Sequence, residues 1–439
     1  MHSRRLLVIA ASALALGLGA PAASLAAVVT TDGLQAEKPS SVARAAAASA
    51  SQGDPNLVDQ WALSSDRAMG ITTAWNQITG GDIVVAVVDS GMKLDHPEFA
   101  GNLWTNSGEI EGNGIDDDHN GYVDDVHGWD FIGRDADPSD ANGHGTHVAG
   151  IIGARGDNHI GGSGVAQHVK LMAVRVLDAN ASGTTDGVAR GLKYAVDNGA
   201  KIINLSLAGP SGSDDLLAAL LYAELRGVVV VAAAGNNGED LTNSPAFPAS
   251  YITSNIVGVA ATREDLDLSD ISNYGNGADI AAPGEDILST ASDGGYEWRT
   301  GTSMAAPAVA GTLALLASAR PDLDAAGLRN ALYAGATKSG LPVGTGSLNA
   351  ANALRQVIPA DSWKSPEPAA TVKKLAPLPT LPSAGSARTA PTASTSAVKP
   401  VAKKSCRKVS KRASKKAKAR YKVCVRKAKL AKAQAVKRK

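Results

Sequence analysis

Four polar residues of this 439-residue chain are suited to act together: Asp89, His144, Asn236 and Ser303. Ser303 lies in Gly301-Thr302-Ser303-Met304-Ala305-Ala306-Pro307, where a glycine-threonine turn opens an apolar run with helical spacing. The first turn of a helix presents free N–H groups and the positive end of the helix dipole, which favour developing negative charge. A serine hydroxyl is a weak nucleophile. Acyl-transfer chemistry therefore also demands an imidazole base, a carboxylate to orient it and donors for the oxyanion. His144 sits in Gly143-His144-Gly145-Thr146-His147-Val148-Ala149-Gly150. Asp89 closes the apolar run Ile83-Val84-Val85-Ala86-Val87-Val88 and precedes Ser90-Gly91. Asn236 follows a second apolar run in Ala233-Ala234-Gly235-Asn236-Asn237-Gly238.

Taken singly, each residue has a plainer explanation. Ser303 would serve as a helix cap, Asp89 as a turn cap, His144 as a buried hydrogen-bonded ring and Asn236 as a left-handed turn residue. His144 and His147 would also suit a metal, but the glutamate of the HExxH zinc pattern is missing, and His147 is expected to pack against the core. Taken together, the four assign roles. Ser303 attacks a carbonyl, His144 takes and returns its proton, Asp89 fixes the imidazole tautomer, and Asn236 with the Ser303 backbone N–H receives the oxyanion. The chain order Asp, His, Ser matches subtilisin and differs from chymotrypsin and the α/β-hydrolases. On these four motifs, residues 54 to about 355 resemble the subtilisin-like serine proteases (subtilases). The resemblance implies a secreted serine endopeptidase that hydrolyses protein or peptide substrates through an acyl-enzyme.

Apolar runs and helical patterns alternate through this stretch, and their order says what must hold the four residues. Strands are expected near 83–88, 169–176, 201–205, 228–233 and 255–260, with helices near 144–153, 185–198, 214–226, 303–319 and 324–334. Continuous apolar strands between helices predict an α/β fold: a doubly wound, mainly parallel sheet with helices on both faces. Open sheets of this kind bind ligands beyond the carboxyl ends of their strands, where Asp89 and Asn236 both fall. The resemblance places substrate along Ser206, Leu207 and Ala208 as an added strand, with Ala233 and Gly235 on the opposite wall of the specificity pocket. Small, uncharged walls imply a broad or apolar side-chain preference. Ala208 stands where the family commonly has glycine, so its methyl group would narrow the rim.

Calcium is the expected cofactor. No cysteine precedes Cys406, so disulfides cannot brace an exported body. Asp116, Asp118 and Asn120 alternate before the turn glycine Gly121, with Tyr122 offering a carbonyl and Asp124 following, as in the first nine positions of an EF-hand loop. His127 holds the twelfth position in place of glutamate, which excludes a complete EF-hand. The choice left is a related calcium loop or a solvated acidic turn. By resemblance alone, a second calcium site would take the side chains of Asp54, Glu98 and Asn158 with the carbonyl of Ile160; Glu98 replaces the family's usual aspartate. Asp130, Asp135 and Asp137 form a third, weaker cluster.

Charge divides the chain. Residues 401–439 carry 18 Lys and Arg and no acid, leaving 25 basic and 42 acidic side chains in residues 1–400. Arg4-Arg5, an apolar run over 6–18 and small residues to Ala27 have the layout of a secretory signal peptide, expected over 1–26. Residues 27–53 read as a short low-complexity pro-segment, too poor in large apolar side chains to fold alone and shorter than the inhibitory propeptide of many subtilases. Residues 54–355 form the peptidase domain, 356–400 a disordered linker rich in Pro, Ala, Ser and Thr, and 401–439 a basic tail. The tail suits an anionic surface or polymer, retaining the enzyme at the cell surface, or is a plain solubilising extension. Its single aromatic, Tyr421, offers no base-stacking platform, which argues against nucleic acid. Cys406 and Cys424 would lie about 27 Å apart in one helix. They therefore pair across a hairpin, pair between otherwise monomeric chains, or stay free. The competing class is a catalytically silent subtilase-fold binding protein anchored by the tail; four competent catalytic positions argue against it.

Overall fold

The computed structural model describes residues 53–364 and two short strands, 28–30 and 34–35. In chain order the strands are β1 (Val28–Thr30), β2 (Leu34–Gln35), β3 (Gly80–Asp89), β4 (Gly128–Asp130), β5 (His168–Arg175), β6 (Ser182–Thr184), β7 (Ile202–Leu205), β8 (Val229–Ala233), β9 (Ile256–Thr262), β10 (Ile280–Pro283), β11 (Ile287–Thr290) and β12 (Tyr296–Thr300). The helices are α1 (Asp66–Met69), α2 (Ile71–Trp75), α3 (His144–Gly153), α4 (Thr185–Asp197), α5 (Asp214–Leu225), α6 (Thr302–Ala319), α7 (Ala325–Gly335) and α8 (Ala350–Arg355). The expected signal peptide, most of the pro-segment, the linker beyond 364 and the basic tail with both cysteines lie outside the described residues.

Seven strands form one parallel sheet in the order β10-β9-β8-β7-β3-β5-β4. β3 is the pivot: β5 and β4 lie on one side of it and β7 to β10 follow in sequence on the other. Successive side chains of a strand point to opposite faces. Val85, Val87, Leu171, Ala173, Val229 and Val231 accordingly share a core with α3 and α6. Ala86, Val88, Met172, Val174, Val230 and Ala232 share the other with α4 and α5. This is the doubly wound arrangement that the continuous apolar runs require.

Helix α6 has no polar face. It is long and apolar enough to cross a membrane, yet it is buried against β3, β7, β8, β9 and β10. Leu313, Leu315 and Leu316 are fully buried, and each such side chain stabilises the fold by roughly 1.5–3 kcal/mol. Gly311 lets the helix sit close, since a Cβ there would meet Val165 at 2.6 Å. The predicted elements agree with the observed ones to within one or two residues, except that β3 starts three residues before the expected strand. The sequence reading did not single out β4, β6, β10, β11 and β12, which are no longer than five residues each.

Candidate active site

β3 delivers Asp89 to the carboxyl edge of the sheet, wholly buried. Its Oδ1 accepts the Ser90 N–H at 2.7 Å and lies 2.7 Å from His144 Nδ1. A carboxylate only accepts, so Nδ1 carries the proton and Nε2 of the neutral ring is left as an acceptor. That Nε2 is buried and has no hydrogen-bond partner. Ser303, in the first turn of α6, donates its hydroxyl to the Ser206 carbonyl at 3.1 Å. The Ser206 hydroxyl donates in turn to the Ser303 carbonyl at 2.7 Å and accepts from Asn204 Nδ2 at 2.9 Å. The Ser303 hydroxyl thus rests on the segment just after β7 rather than on the imidazole, and such contacts commonly tighten only when substrate binds.

Asp140, which the sequence reading did not single out, fixes the spacing of this pair. Its Oδ1 accepts from Ser90 Oγ, Asn142 N and Gly143 N at 2.8–3.0 Å. Its Oδ2 accepts from Thr146 N at 2.8 Å and Thr146 Oγ1 at 2.6 Å. One carboxylate therefore joins the turn after Asp89 to the first turn of α3. Gly145 permits the approach, because a Cβ there would lie 2.1 Å from the Gly91 carbonyl. The legible signal was an aspartate shortly before a helix start, a common capping pattern. His147 is fully buried as expected, its Nε2 3.1 Å from the carbonyls of Ile287 and Glu297. Burial, and then the Arg299 charge, push its pKa down to about 3.

Asn236 is oriented by α6 itself. Its Oδ1 accepts from Thr302 N at 2.8 Å and Thr302 Oγ1 at 3.0 Å, which turns the amide nitrogen the other way. Asn273, also missed in the sequence, clamps the loop around it. Its Nδ2 donates to the Ala234 carbonyl at 2.9 Å and its Oδ1 accepts from Asn237 N and Glu239 N at 3.0 Å. Gly235 needs to be glycine at φ +99°, where a Cβ would also approach Asn273 Nδ2 to 2.5 Å.

Beside Ser303 opens a cleft of about 420 Å³ whose lining includes Ala208, Ala233, Gly235 and Asn236. Ser244, Pro245 and Ala246 also line it. Two expected substrate residues contribute no side chain: Leu207 is buried in the core and the Ser206 hydroxyl is held by Ser303. Glu239 is the lone charged side chain in the lining and was not anticipated.

The sequence matches the subtilase family over residues 80–352. This chain belongs to the subtilase family. It is 43% identical over 245 residues to thermitase of Thermoactinomyces vulgaris, a span of 56% of this chain and 78% of thermitase. It is 39% identical over 280 residues to subtilisin Savinase of Lederbergia lenta, covering 63% and 93% of the two chains. Among solved structures, a protease of Pseudoalteromonas arctica aligns with a TM-score of 0.60 and 30% identity, over 70% of this chain and 100% of its own. The subtilase is a serine-type endopeptidase.

The acidic clusters of this subtilase differ from their sequence-based expectation. Carboxylate oxygens of Glu109, Asp118 and Asp125 lie within 4.8 Å of one another. Asp116 and Asp124 are not in that group. Asp116 accepts from Asn120 N and Gly121 N, and Asp124, at φ +57°, turns back to Asn113 N and Gly114 N. Asn120 instead donates to Asp118 and Asp125, and Tyr122 packs its ring against Trp129, Phe131 and Tyr194. Three converging carboxylates form the all-oxygen donor set that suits a hard cation.

The residues of the second expected site are brought together and joined by hydrogen bonds. Asp54 accepts from the N–H groups of Asp157, Asn158 and His159 at 2.7–3.1 Å. Glu98 accepts from Gly162 N, Tyr296 Oη and Asn158 Nδ2 at 2.8–3.0 Å. Ile160 N–H donates to Asn158 Oδ1, which is what turns the amide nitrogen to Glu98. Donors engage all four carboxylate oxygens there, just as donors engage every carboxylate oxygen of Glu109, Asp118 and Asp125. In the third cluster, Asp130 is taken by Arg175 at 2.8 Å, while Asp135 and Asp137 accept from nearby backbone N–H groups.

Proposed function

We propose that this subtilase is an exported endopeptidase that cuts peptide bonds with Asp89, His144 and Ser303. The observation that carries the reading is the buried Asp89–His144 bond with an unpartnered Nε2. An orphaned buried acceptor costs roughly 1–3 kcal/mol, and an incoming serine proton removes that penalty. Ser303 loses its proton to Nε2 as it attacks, Asp89 stabilises the imidazolium, and the proton returns to the leaving amine. The Asn236 amide and the Ser303 backbone N–H receive the oxyanion; one such donor contributes about 3 kcal/mol. Water then repeats the sequence on the acyl-enzyme.

The peptidase domain spans 54–355. Its specificity pocket, with Ala208 and Ala233 as small walls, accepts a broad or apolar range of side chains. A calcium ion would be held by Glu109, Asp118 and Asp125, where it offsets three like charges and braces a body without cysteines. The basic, apolar and small-residue order of 1–26 supports export, and the cationic tail supports retention at an anionic surface. The deciding experiment is casein hydrolysis by the purified protein beside Ser303→Ala, with a serine-phosphonylating reagent as second probe. Hydrolysis and labelling in the wild type, both absent from the variant, are expected; a folded wild type that does neither would overturn the reading.

A further inference from the structure

The histidine flank of Ser303 carries a fixed cation. If His144 returns its proton to the leaving amine, the residue that follows the scissile bond must pass the imidazole and the turn that presents it. Gly143, at φ +101°, begins that turn as the cap of α3. A Cβ on Gly143 would lie 3.2 Å from Arg299 Nη2, so the guanidinium rests against the residue just before His144. None of Gly143, His144 and Arg299 lines the cleft of Ala208, Ala233 and Asn236. Arg299 thus belongs to the leaving side of the site.

Glu297 and Arg299 stand two apart on β12 and share a face of it. Glu297 Oε1 accepts from Arg299 Nε at 3.0 Å and from Nη2 at 2.8 Å. That contact engages one edge of the guanidinium through a single carboxylate oxygen. Arg299 Nη1 has no hydrogen bond among the described residues and is not enclosed. The arginine side chain is 8% exposed and that of Glu297 30%, so the cation is held in place while its partner is the one able to turn to water. Asp140, the carboxylate of the α3 turn, is already engaged by five hydrogen bonds.

We propose that Arg299 is a specificity-determining residue that selects substrates with an acidic side chain, Asp or Glu, immediately after the scissile bond. The proposal rests on the peptidase reading of Ser303 and concerns the side of the cut opposite the apolar pocket. The substrate carboxylate meets Nη1 and Nη2, the paired donors that a planar guanidinium presents and a lysine ammonium does not. Glu297 is its internal stand-in and competitor, turned aside as the substrate docks. A guanidinium largely shielded from water makes such a bond stronger than an exposed one would be. The positive end of α3 adds to the attraction.

The test uses peptides blocked at both ends and identical except for Glu, Gln or Lys after the cleaved bond, with the cut located by mass. The readout is the ratio of kcat/KM values for the purified full chain, Arg299→Gln, Arg299→Lys and Glu297→Gln. The wild type should favour Glu over Gln by about 3-fold, as for an ion pair that must displace another, and should cut the Lys peptide most slowly. Glu297→Gln removes the competitor and should raise the Glu preference to ~10-fold or more. Arg299→Gln should bring the ratio to parity, and Arg299→Lys should keep part of it. A brace that merely stiffened β12 would not let Glu297→Gln sharpen a preference, so the answer stands even where an Arg299 variant fails to fold. Parity between Glu and Gln peptides in both wild type and Glu297→Gln, with both peptides cut, would overturn the proposal, as would a preference that survives Arg299→Gln. A folded wild type that cuts none of the peptides and takes no phosphonylating label would overturn the peptidase reading itself.

Discussion

Acid should destabilise this protein through one buried ring. His147 Nε2 donates toward two carbonyls, and its Nδ1 is buried with no partner. A second proton would place a charge in that pocket, close to the Arg299 guanidinium. Burial first and that charge second hold the folded pKa at about 3, against 6.5 for the ordinary ring. Between these values the unfolded chain binds a proton that the folded chain refuses, so stability is complete above pH 6.5 and falls as pH drops toward 3. The slope is about 1.4 kcal/mol per pH unit, giving a loss of about 3 kcal/mol by pH 4.5 and about 5 kcal/mol over the whole window. Against a typical total of roughly 5–15 kcal/mol, that loss is large. The assay is urea unfolding from pH 7 to pH 4 in a Ser303→Ala background, which prevents self-digestion, with and without His147→Gln. Glutamine keeps a donor and does not titrate. His96, whose pKa burial also lowers, is common to both proteins and cancels. The two profiles should diverge with the slope of one proton; parallel profiles would refute the reasoning.

Replacing Asn236 by alanine should lower kcat on a peptide substrate by roughly 100- to 1000-fold with little change in KM; an unchanged kcat would remove it from the oxyanion site. Asp140→Ala should lower kcat and Tm together, since five hydrogen bonds joining the Asp89 turn to α3 are lost, and full activity in that variant would show that the spacing is set elsewhere. Chelation should lower Tm by removing an ion that binds only the folded chain, and Asp125→Asn should abolish that response while Asp54→Asn retains it. The opposite pattern would return the ion to the Asp54 and Glu98 site. Ala208→Gly should widen the rim and shift preference toward larger apolar side chains before the scissile bond; an unaltered preference on matched peptides would discount the methyl group.

The residues proposed for catalysis were legible because each is tied to a local pattern: Asp89 ends an apolar run, Asn236 follows another, and Ser303 opens an apolar helix. What holds them was less legible. Asp140 and Asn273 act on residues brought near by the fold, and nothing in their immediate neighbours announces the partner. The acidic loop shows a different limit. Alternating carboxylates suggested Asp116 and Asp124 as ligands, but backbone conformation decides which way each one turns, and Asp124 turns away while Glu109, outside the alternation, turns in. Likewise nothing near Glu98 in the sequence announces the Tyr296 hydroxyl, which reaches it from 198 positions away.

The placement of Ser303 on α6 also has a meaning in time. A ribosome delivers Asp89 and His144 first, and five strands that α6 will cover are made before α6 itself. Until that helix arrives, the face it shares with α3 lacks most of its filling and Ser303, the proposed nucleophile, does not exist. Insertion of a single helix then completes the interior and brings Ser303 to the edge of the sheet beside Asp89 and His144 in one event.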